Sequence, residues 1–167
     1  KKKIRAVQYG VGPIGAAIVR LMREKKSIEI IGAIDSDPSK AGRDLGEVVG
    51  AADAPWGVLV TDDADSLLAK SADVVVHSTS TLLPQVADQL LACLAAESCV
   101  VSTCEELAYP YRKYPELAAK LRPYLDPEDI ANADPEFVEF GNHTHSHPVL
   151  AALTPDKDHE TLISAAA

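Results

Sequence analysis

Apolar residues follow two rhythms in the first two thirds of this 167-residue chain. Ile4-Arg5-Ala6-Val7-Gln8-Tyr9 is a short strand-like run that stops at Gly10. From Pro13 to Arg23 the apolar positions Ile14, Ala17, Ile18, Leu21 and Met22 recur at helical spacing. Pro13 suits a first helical turn, where its missing N–H costs little. The β-branched run Ile28-Glu29-Ile30-Ile31-Gly32-Ala33-Ile34 then predicts a second strand, closed by Asp35.

Residues 36–57 read as irregular, with Asp37-Pro38 and several glycines, ahead of a short strand at 58–60 and a short helix over about 63–70. Asp73-Val74-Val75-Val76-His77 is a continuous apolar strand, as expected where both faces are buried. Residues 84–96 read as a helix with Val86, Leu90, Leu91 and Leu94 inward, and residues 99–103 as a further buried strand. This alternation predicts a single-domain α/β fold, a doubly wound parallel sheet with right-handed crossovers. After about residue 110 the texture changes to a helix over 114–125, an acidic stretch punctuated by Asp126-Pro127 and Asp134-Pro135, and a short strand at 137–140.

Composition adds that the chain is an ordinary globular one, with 47% apolar and 25% charged residues. The formal charge of −9 is unevenly spread: residues 1–43 hold ten Lys/Arg against four Asp/Glu, and residues 44–167 hold six against twenty-one. An acidic surface of that kind argues against nucleic acid as a partner. Cys93, Cys99 and Cys104 are odd in number and show no CxxC spacing, so a reducing cytoplasmic setting is expected. The N-terminal Lys1–Arg5 leads straight into a strand, which predicts no signal peptide, and no apolar run is long enough to span a membrane.

The chemistry concentrates at Gly10-Val11-Gly12-Pro13-Ile14-Gly15. GxGxxG alone is a weak signal, but this one follows a strand, opens a helix and has Asp35 twenty positions beyond Gly15 at the end of the next strand. Each part has a mechanical task. Gly10 permits the tight turn, Gly12 lets the backbone approach a pyrophosphate, and Gly15 lets the helix pack close to its strand. The helix start, with Pro13 and Ile14, offers N–H groups and positive partial charge to phosphates. Asp35 is expected to accept from the adenosine ribose hydroxyls, which favours NAD over NADP, although Lys40 and Arg43 stand close enough in sequence to meet a 2′-phosphate. A Rossmann-like dinucleotide domain is therefore expected over residues 1–125, with residues 126–167 an extension packed on the sheet edge.

The segments IRAVQYGVGPIGAAIVRLM, GAIDSDPSKAGRDLGEV, VVVHSTSTLLPQVADQLLACL and VVSTCEELAYPY together resemble the N-terminal half of the NAD(P)-dependent amine dehydrogenases related to 2,4-diaminopentanoate dehydrogenase, distant relatives of dihydrodipicolinate reductase. The resemblance covers residues 3 to about 120. It implies that His77, Ser78, Thr79 and Ser80 line the cofactor. It also implies that a glutamate of the pair Glu105-Glu106 handles the substrate amine, in reductive amination of a ketone or its reverse. A carboxylate beside the nicotinamide can orient an amine and move its proton; read without the resemblance, the two acids simply favour a first helical turn. The resemblance also implies a second domain with the substrate pocket and dimer contacts, for which these residues are expected to be too few, so that cofactor binding, activity in isolation and a homodimer are separate expectations. The family's glycine before the strand at 99 is also missing from Ala96-Glu97-Ser98.

Residues 141–148, GNHTHSHP, resemble the metal-binding motif of polysaccharide deacetylases, with His143 and His147 as the matching ligands. The nearest analogue of that family's paired aspartates is Asp62-Asp63, which N-capping explains more simply. His145 and His159 read as solvent-facing. A metal-dependent hydrolase, adventitious zinc binding and a ligand-free Rossmann-like scaffold are the competing expectations.

Overall fold

The computed structural model describes residues 2–107 and 110–121, and the chain divides into two compact units, Lys1–Cys104 and Glu105–Ala167. In the first unit five strands form one sheet: β1 Ile4–Tyr9, β2 Ile28–Ile34, β3 Val60–Thr61, β4 Val74–His77 and β5 Cys99–Ser102. Their order is β3-β2-β1-β4-β5, and every pairing is parallel. The chain builds outward from β1 through β2 to β3, then returns to the other side of β1 with β4 and β5. The carboxyl ends of β1 and β4 therefore flank the point where the winding reverses, the place where open α/β sheets take ligands.

Helices α1 Pro13–Glu24, α2 Leu45–Val48, α3 Ala64–Leu68 and α4 Leu83–Ala95 connect the strands. Strand alternation sends neighbouring residues to opposite faces. Ala6 and Ala33 meet Val19 and Met22 of α1 and Leu45 of α2 in one core, while Val7, Ile34 and Val75 meet Leu67, Leu68 and Cys93 in the other. Each buried Val, Leu, Ile or Met side chain among them contributes roughly 2 kcal/mol. The doubly wound parallel sheet expected from the sequence is thus the fold. In the second unit the described elements are a 3₁₀ turn at Glu105–Leu107 and two short helices, α5 Pro110–Lys113 and α6 Pro115–Leu121.

Three local expectations change. Residues 36–57 are not wholly irregular, because Asp44 caps α2 by accepting from the N–H groups of Gly46 at 2.9 Å and Glu47 at 3.4 Å. The inward face of α1 is Gly15, Val19 and Met22, whereas Ile14 and Leu21 are 58% and 59% exposed. Gly15 has to lie against the carbonyl of Gly10, and that contact sets the rotation of the helix. Among the described strands β5 is the sheet edge rather than a buried strand, with Cys99 exposed and Val101 60% exposed.

The missing glycine before β5 has a visible consequence. Glu97 takes the left-handed conformation, φ +59°, at the residue beyond the α4 cap, where glycine is usual. Its N–H donates to the Leu94 carbonyl at 3.0 Å and that of Ser98 to Cys93 at 3.2 Å, completing the paired closing bonds of a Schellman turn. The turn forms with a side chain where glycine would carry none of the steric cost.

Candidate functional site

The three glycines of the β1–α1 turn do different things. Gly10 has φ +91°, and a Cβ there would stand 2.6 Å from the Ser78 carbonyl oxygen. A Cβ on Gly15 would lie 1.9 Å from the Gly10 oxygen. Both are glycine because the fold requires it. Gly12 has an ordinary φ of −78°, and a Cβ there would meet nothing within 4 Å beyond its chain neighbours. It faces open space at the start of α1, where no side chain caps the helix and Pro13 and Ile14 are exposed. The open cradle at Gly12, the uncapped helix start and the exposed Pro13-Ile14 fit an anionic group lying close against backbone.

Gln8 holds this turn from beneath, although sequence reasoning passed over it. Its side-chain amide donates to the Gly10 carbonyl at 2.9 Å and to Ser78 Oγ at 2.8 Å, and the Ser78 hydroxyl donates to the same carbonyl at 3.1 Å. A polar residue inside a buried strand, two positions before the motif, was the available signal. Ser78 thereby braces the turn, and its N–H pairs with the Tyr9 carbonyl at 2.7 Å.

Asp35 emerges at the end of β2 beside the turn. Its Oδ2 accepts from the Val11 N–H at 2.7 Å and from Lys40 Nζ at 3.0 Å, and its Oδ1 accepts from the Asp37 N–H at 2.9 Å. Burial pushes this carboxyl up, but the N–H groups of Asp37 and Val11 together with Lys40 outweigh it and hold Asp35 below its ordinary 3.8. It is a carboxylate at neutral pH, with an ammonium alongside.

His77 closes β4 and is fully buried. Its Nε2 lies 2.8 Å from Gln89 Oε1 and its Nδ1 3.1 Å from Ser102 Oγ, with the Tyr9 ring edge-on at 5.3 Å between centroids. Burial depresses its pKa below the ordinary 6.5. Thr79 is exposed and donates to Gln89 Oε1 at 2.7 Å. Ser80 Oγ donates to Gln85 Oε1 at 2.7 Å and accepts from the Leu82 N–H at 3.2 Å, shaping the entry to α4. Of the expected lining residues, Thr79 and Ser80 present surface, while His77 is fully buried.

Glu105 and Glu106 belong to the second unit. Glu105 is exposed; Glu106 accepts from Lys113 Nζ at 2.5 Å and from the Tyr114 hydroxyl at 3.2 Å. That carboxylate holds the Lys113 ammonium above its ordinary range. His143, His145, His147 and His159 lie outside the described residues, as do the strand at 137–140 and the extension over 126–167. Among the described residues no group of three or more His, Cys, Asp or Glu is placed to hold a metal. Asp63 caps α3, accepting from the Ser66 N–H at 3.0 Å and its hydroxyl at 2.6 Å. No helix among the described residues is long and apolar enough to cross a membrane.

A family model, dihydrodipicolinate reductase, N-terminus, matches residues 4–104. An amine dehydrogenase of Streptomyces virginiae is 32% identical over 152 residues, covering 90% of this chain and 35% of the relative. The 2,4-diaminopentanoate dehydrogenase of Acetoanaerobium sticklandii is 27% identical over 125 residues, covering 72% and 34%. The structure of an amine dehydrogenase from Mycobacterium smegmatis superposes with a TM-score of 0.66 at 36% identity, over 71% of this chain and 35% of that one. The chain spans about a third of the length of these relatives. These similarities give the deacetylase reading no support.

Proposed function

The chain belongs to the dihydrodipicolinate reductase N-terminal family, and from that premise we propose that its first unit binds a nicotinamide dinucleotide as the cofactor domain of an amine dehydrogenase-like oxidoreductase. The carrying observation is Gly12. Nothing in the fold forbids a side chain there, unlike at Gly10 and Gly15, so the open space is matched to a pyrophosphate laid against the backbone. The N-terminus of α1 stabilises the two phosphates through its free first-turn N–H groups and the helix dipole.

Asp35 accepts from the ribose hydroxyls of the adenosine half. Its ionised carboxylate repels a 2′-phosphate, and Lys40 at 3.0 Å offsets part of that repulsion. The expected order is therefore NADH bound more tightly than NADPH, with NADPH still bound. A bound nicotinamide would supply the hydride in reductive amination of a ketone, or accept it in the reverse oxidative deamination. Glu105 or Glu106 positions the amine and carries its proton, with Glu106 already held by Lys113 and Tyr114 and Glu105 exposed to solvent.

The test is titration of NADH and NADPH, followed by nicotinamide fluorescence, on the wild type and Gly12→Val. Saturable binding lost in a variant that melts like the wild type supports the reading. Absence of binding in the wild type makes the turn a purely architectural one.

A further inference from the structure

The carboxyl edge of the sheet carries a second network. Gln89 Oε1 is an acceptor, so the hydrogen on His77 lies on Nε2, and Nδ1 receives the Ser102 hydroxyl. Ser102 Oγ in turn accepts from the Cys104 N–H at 3.1 Å, which shapes the exit from β5. On the other side Thr79 shares Gln89 Oε1 and lies 3.1 Å from His77 Nε2. With its hydroxyl so committed, Thr79 turns its methyl toward the turn: Cγ2 is 2.9 Å from where a Cβ on Gly10 would be. One buried ring thus joins the loop after β4, helix α4 and the exit from β5, and reaches the glycine turn through Thr79.

We propose that His77 is a positioning residue for the cofactor site, its neutral Nε2–H imidazole holding Thr79 against the glycine turn through Gln89 and ordering the β5 exit through Ser102. The inference rests on the cofactor reading above and adds a residue that never touches the ligand. The geometry makes the ring's two nitrogens unequal, one donor and one acceptor, so a protonated ring would face Ser102 with a second donor. Among the described residues in contact with it, Tyr9 of β1 is titratable, while Gln89 of α4 and Ser102 of β5 are uncharged.

The experiment combines NADH titration with ¹⁵N-imidazole and amide NMR on the wild type, Gln89→Met, Thr79→Val and the double variant. The wild type is expected to show one slowly exchanging Nε2–H imidazole that takes up its proton at lower pH than exposed histidines do. Gln89→Met removes the acceptor that His77 and Thr79 share; it should shift that ring together with the Gly10 and Cys104 amides and weaken NADH about fivefold. Thr79→Val should do the same to NADH, and the double variant no more than either single one.

If wild-type NADH binding is intact and abolished by Gly12→Val while Gln89→Met and Thr79→Val bind like the wild type, the positioning role is overturned and the cofactor reading stands. Additive losses in the double variant overturn it equally. A wild type that binds no NADH removes the cofactor reading and the positioning role with it, and is told apart from the previous outcome by that control.

Discussion

Two turns at opposite ends of the sheet solve a similar geometric problem with different residues. At the carboxyl edge, the β1–α1 turn uses three glycines, two because the backbone would otherwise collide and one with no internal cause. At the amino edge, the α4–β5 turn adopts a left-handed residue at Glu97 and does without glycine. A turn that serves only the fold can absorb a local strain of about 1 kcal/mol. A turn that also meets a ligand has to keep its surface bare. Glycine is therefore informative at Gly12, where the fold would accept a side chain.

The largest expected effect breaks the first turn. Gly15→Ala puts a methyl 1.9 Å from a backbone oxygen, and thermal or urea unfolding should show a loss of about 3 kcal/mol or more. Gly12→Val sharpens the contrast: its melt should match the wild type, while NADH affinity falls by about a hundredfold or more, on the order of 2.7 kcal/mol. A destabilised Gly12→Val would remove the distinction between the two glycines. Lys40→Ala is expected to weaken NADPH more than NADH by several-fold in the same titration, because the ammonium beside Asp35 is lost.

At the other turn the sign reverses. Glu97→Gly should raise stability by about 1 kcal/mol, a shift of a few degrees in Tm, by relieving the left-handed strain. No gain would mean that neighbouring contacts of Glu97 offset the relief.

The smallest effect is the pH dependence of His77. Its folded pKa lies below the ordinary 6.5, so at mildly acidic pH the unfolded chain binds the proton first. The resulting stability is whole above about pH 6.5 and declines as pH falls from there toward the folded value. Melts of wild type and Gln89→Met between pH 8 and 5 would show it. Asp35, depressed below its ordinary 3.8, adds stability that is lost only at more acidic pH.

The amino-acid sequence by itself determined the order strand, glycine turn, helix, strand and Asp35. These follow from local rules: side-chain periodicity, proline at a first helical turn and glycine at a left-handed bend. The Asp63 cap was legible for the same reason. The buried face of α1 was not, since it depends on Gly15 approaching the Gly10 carbonyl rather than on where the largest apolar residues fall. The edge position of β5, with Cys99 exposed and Val101 60% exposed, follows from strand order, which no segment encodes alone. His77 gained its meaning only from Gln89 and Ser102, twelve and twenty-five residues away. The tertiary structure decided these matters because each turns on which distant group occupies the adjoining space.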